Sequence, residues 1–146
     1  MSGQTGYYDA IKFPATQVSS SDVNTLDDYE EGTKTVTLTA ATPPDTPPTC
    51  EAVYTKIGRV VTISGFFSNV NTVGAAGAMS ITGLPFAAGG EHVGSVTMAG
   101  QGSAVAVITT SAASTILAFL NAVTIAAIPI VAAENIYIIF TITYSV

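Results

Sequence analysis

Ile136-Tyr137-Ile138-Ile139-Phe140-Thr141-Ile142-Thr143-Tyr144 is the most regular stretch of the chain. Side chains alternate across a strand, so Ile136, Ile138, Phe140, Ile142 and Tyr144 share one face, and Tyr137, Ile139, Thr141 and Thr143 the other. Both faces are apolar over the first half, which predicts a strand buried on both sides. Far upstream the same two-residue period returns, with Val36, Leu38 and Ala40 alternating with Thr35, Thr37 and Thr39. Between these ends, strand signals recur over residues 51–57, 60–68, 78–81, 92–98, 104–109, 115–120 and 123–130, set apart by short stretches rich in Gly and Asn. Pro43-Pro44-Asp45-Thr46-Pro47-Pro48 puts four prolines in six residues, which no paired strand accepts, so a stiff loop is expected there. No segment of the body carries a helical period with caps. The expected fold is all-β, an antiparallel β-sandwich or jelly roll of about eight or nine strands.

The chain has 146 residues, the size of one domain, which rules out a multidomain enzyme. Only 10% of the residues are charged, against about 25% in an average soluble chain. Twelve of the 14 charges lie between Asp9 and Arg59, leaving Glu91 and Glu134 across residues 60–146. That asymmetry predicts two parts: an extended N-terminal arm, residues 1–32, and a β-sandwich domain, residues 33–146. With four cations and a net charge of −6, no nucleic-acid partner is expected. The single cysteine, Cys50, excludes an intrachain disulfide framework. The first residues show neither the basic start nor the apolar run of a secretory signal. Residues 112–133 are uncharged and long enough to span a bilayer, but Ser114, Thr115, Asn121, Thr124 and Pro129 interrupt them and no Lys or Arg flanks them. Buried strands fit better, and no membrane insertion is expected.

Strands such as Thr115-Ile116-Leu117-Ala118-Phe119-Leu120 supply apolar groups to both faces, more than two inner faces of one sandwich need. The surplus is expected to meet another subunit, with Ile116, Leu117, Phe119 and Ile139 as interface residues of a homo-oligomer. In the arm, Tyr7, Tyr8, Ile11, Phe13, Val18 and Leu26 are spaced too widely for a core. They are read as anchors that dock the arm onto a partner, as aromatic and aliphatic side chains do at interfaces.

Four segments together resemble a recurrent distal module of bacteriophage tail fibres and tailspikes. They are the run from Phe13-Pro14-Ala15-Thr16-Gln17-Val18 through Asp27-Asp28-Tyr29-Glu30-Glu31-Gly32-Thr33, then Tyr54-Thr55-Lys56-Ile57-Gly58-Arg59-Val60-Val61-Thr62-Ile63-Ser64-Gly65, Ile81-Thr82-Gly83-Leu84-Pro85-Phe86, and Ile138-Ile139-Phe140-Thr141-Ile142-Thr143-Tyr144. The first is similar to the junction that precedes the distal domain of those fibres. The resemblance implies a β-sandwich, usually trimeric, displayed on a virus particle. Family members often continue the junction with a Trp-Thr-Pro-like sequence where Lys34-Thr35-Val36 stands here, so the arm is expected to dock differently. With Met1 about 32 residues upstream of the strand pattern, the expectation is a capsid decoration protein, a short head spike or a separate fibre tip. On this reading the protein is a non-enzymatic virion structural protein, a homotrimer anchored by its arm to a viral capsid or tail scaffold protein. The alternative is a receptor-binding tip for host attachment that recognises a surface glycan or protein.

Other candidate groups carry less chemistry. Asp27, Asp28, Glu30 and Glu31 offer carboxylates to a calcium ion, but their spacing matches no closed ligand loop. A solvated hinge, or a partner for cations on a neighbouring subunit, fits better. Glu91-His92 joins an acid to the only histidine without a second positioned group for acid-base work. No catalytic residue, metal site or cofactor is therefore expected. Phe66, Phe67, Phe86, Phe119, Tyr137, Phe140 and Tyr144 fall in strand-like runs, where core packing is the default. The loops around Asn69, Asn71, Gly89, Gly90 and Gln101 are candidate ligand readers.

Overall fold

Threonine, valine and isoleucine fill the alternating runs, and in the computed structural model these runs pair antiparallel throughout. Residues 13, 21–22, 25–26, 28–100, 106–122, 124, 126–130 and 132–146 are described. They form β1 (Tyr29–Thr42), β2 (Thr49–Ile57), β3 (Val60–Val70), β4 (Ala76–Thr82), β5 (Val93–Ala99), β6 (Ala106–Thr109), β7 (Ile116–Asn121) and β8 (Ile136–Ser145). The all-β expectation holds, but the sheet closes on itself in the order β1-β2-β3-β8-β5-β6-β7-β4, so the fold is a closed barrel and not a sandwich or jelly roll.

Strand β1 causes the closure. Its first half pairs with β2, Thr37 stands opposite both Thr49 and Thr82, and its second half continues along β4 through an irregularity between Ala40 and Thr42. A single long strand thus joins what would otherwise be two sheet edges, and eight strands enclose just the width that side chains can fill. Ile136, Ile138, Phe140, Ile142 and Tyr144 of β8 all point into that interior, where they meet Phe67, Ile63 and Leu38. The expectation that β8 is buried on both faces fails, because a barrel wall has only one dry side and Tyr137 and Ile139 lie outside.

Two glycines permit the close packing of the wall. A Cβ on Gly65 would sit 2.5 Å from the Phe140 ring, and one on Gly94 2.5 Å from the Thr141 carbonyl oxygen. Their missing side chains let Phe140 lie under β3 and let β5 close against β8.

Two sequence boundaries move. Strand β1 starts at Tyr29, so residues 29–32, assigned above to the arm, belong to the barrel. Of the strand expected over residues 123–130, residues 126–130 instead form a wedge between β7 and β4. Ile128 donates its amide to Phe119 on one side and accepts from Met79 on the other, and Ile130 donates to Gly77. Pro129 has no amide to donate and forms only an isolated bridge with Ala78, which keeps this segment from being a regular strand.

The turn between β2 and β3 holds both ends of the barrel wall. Gly58 donates its amide to the Asp28 carbonyl at 2.8 Å, and Val146 donates to Arg59 at 2.9 Å, with the Arg59 Nε returning to the Val146 carbonyl at 3.2 Å.

Candidate functional site

Strand alternation sends Ala52, Tyr54 and Lys56 of β2 toward the interior, which places a cation at one end of the barrel. Lys56 is 5% exposed and forms an ion pair with Asp28, the residue just before β1. Its Nζ also lies 5.4 Å from the centre of the Phe86 ring, which Tyr54 meets edge-on at 5.8 Å. Tyr54 donates its hydroxyl to Glu30, and Tyr144 donates to the Phe86 carbonyl at 3.1 Å. The segment carrying Phe86 is thereby held across the barrel mouth. Hydrogen bonding to Glu30, followed by burial, raises the Tyr54 pKa, and burial pushes the Tyr144 pKa up to about 12.

The acidic run of the sequence is spent on these contacts. Asp28 meets Lys56, Glu30 meets Tyr54, and Glu31 accepts the Tyr29 hydroxyl at 2.9 Å, which raises the Tyr29 pKa. Consecutive strand residues point to opposite faces, so Glu31 diverges from Glu30, and among the described residues no group of three His, Cys, Asp or Glu converges to hold a metal ion. Of the arm anchors, Phe13 packs tilted against Tyr29 with ring centres 5.6 Å apart, and Leu26 is half exposed beside Gly58. Tyr7, Tyr8, Ile11 and Val18 lie outside the described residues, as do Asp27 and Gln101.

The expected interface residues divide by strand parity. Leu117 and Phe119 are fully buried inside the barrel and cannot face a partner, whereas Ile116 and Ile139 are exposed. Ile139 belongs to a face that the sequence reading missed. Phe66, expected in the core, is 48% exposed and Tyr137 is 41% exposed, and their rings stack at 6.4 Å and 25°. Phe66 stands opposite Ile139 across the β3–β8 ladder, and both border a shallow groove of about 440 Å3 with Glu51, Val53, Ser64 and Thr141. Val53 and Ile139 are 56% and 54% exposed. The tandem Phe66-Phe67 carried the missing signal: adjacent residues of one strand cannot both point inward.

A second concavity lies over β5, β6 and β7. Glu91, Thr109 and Thr110 are shared by two adjoining grooves of about 630 and 290 Å3, the larger walled by Val93, Val107 and Leu120 and the smaller by Ile116 and Ala118. His92 is tied down at its rim. Its Nε2 accepts the Ser145 amide at 3.3 Å and lies 3.3 Å from the Ser145 hydroxyl, so this ring joins β5 to the end of β8.

The chain matches no known protein-family model, no characterised protein and no solved structure.

Proposed function

We propose that this protein is a non-enzymatic structural component of a bacteriophage virion, a homotrimeric β-module displayed on the particle and anchored through its N-terminal arm. The observation that carries the reading is the junction at the barrel mouth. Asp28, Tyr29 and Glu30 are bound there to Lys56, Phe13 and Tyr54, in the segment that resembles the junction of phage fibres. Such fastening gives the preceding residues a fixed point of departure from one end of a closed body. That arrangement suits an arm docked on a capsid or tail scaffold with the barrel projecting. The exposed apolar side chains outside an already filled interior support the homo-oligomer.

The test is deletion of residues 2–26. Truncated protein is expected to keep its β-type circular dichroism and its subunit number while disappearing from purified virus particles. Normal incorporation of the truncated protein would rule out arm docking.

A receptor-binding tip is the second reading, favoured by the joined grooves at Glu91, where a carboxylate and the hydroxyls of Thr109 and Ser111 adjoin apolar walls. Glycans are held by such mixtures of hydrogen-bonding groups and apolar contact. Binding of the folded protein to a glycan array or to host cells, lost on Glu91→Ala, is the expected result. No signal from folded oligomer would sink it.

A further inference from the structure

We infer that the outer face formed by Val53, Phe66, Tyr137 and Ile139 is the surface on which a second copy of this chain docks. This rests on the homo-oligomeric reading above; of the interface residues expected from the sequence, Ile116, Leu117, Phe119 and Ile139, it keeps Ile139 and leaves out the buried Leu117 and Phe119.

Charge selects the occupant. Strands β3, β8 and β5 contain no Asp, Glu, Lys or Arg, and neither do β4, β6 and β7. Most of the described acids lie elsewhere: Asp22 ahead of β1, Asp28, Glu30 and Glu31 at the barrel mouth, Asp45 and Glu134 in loops, and Glu91 at the separate grooves. Glu51 lines the groove two residues from Val53, where it accepts the Thr35 hydroxyl, and it is the one described acid on this face. Two copies that each carry −6 repel one another wherever acids approach, so they meet most closely across the surface that carries fewest. A strongly basic partner would need several acids at the contact, and the face supplies only Glu51. Its other polar groups are hydroxyls, and those of Thr62 and Thr143 bond each other at 2.9 Å.

Shape and size agree. The stacked Phe66 and Tyr137 rings form a ridge beside the groove between Val53, Ser64, Ile139 and Thr141, so the ridge of one copy can enter the groove of the next, reciprocally or around a ring. At about 200 Å2 per aromatic side chain, the exposed parts of Phe66 and Tyr137 come to about 180 Å2, and Val53 and Ile139, each over half exposed but smaller, bring the patch to about 350 Å2. That is the size of the largest and often functional patches on single chains, about 300–600 Å2. Among the described strands the closed barrel leaves no sheet edge free, so edge-to-edge pairing does not compete with association through a face.

The experiment is light scattering on the full chain and on two variants, Phe66→Glu and Thr97→Lys. Thr97 is exposed on β5 opposite Ile139, so its replacement adds a charge to the face without removing a packed group. Wild-type protein is expected to be multimeric, and both variants to lose self-association at least tenfold while keeping the wild-type circular dichroism. Should Phe66→Glu fail to fold, Thr97→Lys alone decides. Multimeric wild type with a folded Thr97→Lys variant of unchanged mass would overturn this face and leave the homo-oligomer standing. Monomeric wild type would overturn the homo-oligomer itself.

Discussion

Lys56 is a charge taken out of water, and its fate depends on one neighbour. Removing one member of a buried pair leaves the other unsolvated, which costs about 3–5 kcal/mol, whereas replacing both by apolar groups is often neutral. Asp28→Asn is therefore expected to lower the unfolding free energy by about 3–5 kcal/mol in urea titrations. Lys56→Met on that background should recover most of the loss. If Asp28→Asn left stability unchanged, the pair would not be buried in solution. Tyr144 gives a second handle. Its folded pKa, pushed up to about 12 by burial, lies above the ordinary tyrosine value of 10.0. The unfolded chain therefore releases the proton first as pH rises, and stability that is full below pH 10 declines as pH climbs toward about 12. Tyr29 and Tyr54, raised by Glu31 and Glu30, act in the same direction. Tyr144→Phe should flatten part of this alkaline decline, seen as melting temperature against pH, and should cost about 1 kcal/mol at neutral pH for the lost hydrogen bond to Phe86.

Among the elements, the wall of the barrel is least tolerant where backbone approaches backbone. Gly65→Ala meets the Phe140 ring, which can shift, and is expected to cost about 1–3 kcal/mol. Gly94→Ala meets the Thr141 carbonyl and the Ile142 backbone, which cannot shift without parting β5 from β8. It should be the more damaging of the two in denaturant titrations, and the opposite order would contradict the packing described. Much of this architecture was legible in advance. Alternation marked β1 and β8, and runs of strand-forming residues between turn signals fell on the other six strands, with a ninth expected over residues 123–130 that is not one; the prolines marked the connection from β1 to β2. Closure was not legible, because it depends on β1 pairing with β2 and β4 in turn, and pairing partners leave no trace in local periodicity. The same gap hid the site. Leu117, Phe119, Phe66 and Tyr137 all sit in apolar runs; alternation shows which neighbours share a face, and the curvature of the sheet determines which face is inward. Asp28 was visible as a member of an acidic run, but its partner lies 28 positions away and shows only in the fold.

For the whole molecule, the distribution of charge governs how assembly responds to salt. Contacts held by ion pairs dissociate as the Debye length falls from about 30 Å at 0.01 M to about 3 Å at 1 M. A mainly apolar contact between copies of like net charge should behave in the reverse sense. Screening removes only repulsion, so the mass measured by light scattering is expected to hold or rise across that range. Dissociation at high salt would mean that charged groups outside this face carry the contact. The turn at Gly58 and Arg59 has a mechanical side as well. Asp28 hangs from it at the very start of β1, so force drawing residue 28 away from the barrel loads the β1–β2 ladder from its end, beginning where Tyr29 stands opposite Ile57. The joint opens like a zipper, one rung after another, and does not share its load as overlapping strands under shear do. What resists the first rung is the rivet between Asp28 and Lys56 together with the Gly58 amide on the Asp28 carbonyl, so the tensile strength of the attachment is set by these few contacts and not by the 14-residue length of the strand behind them.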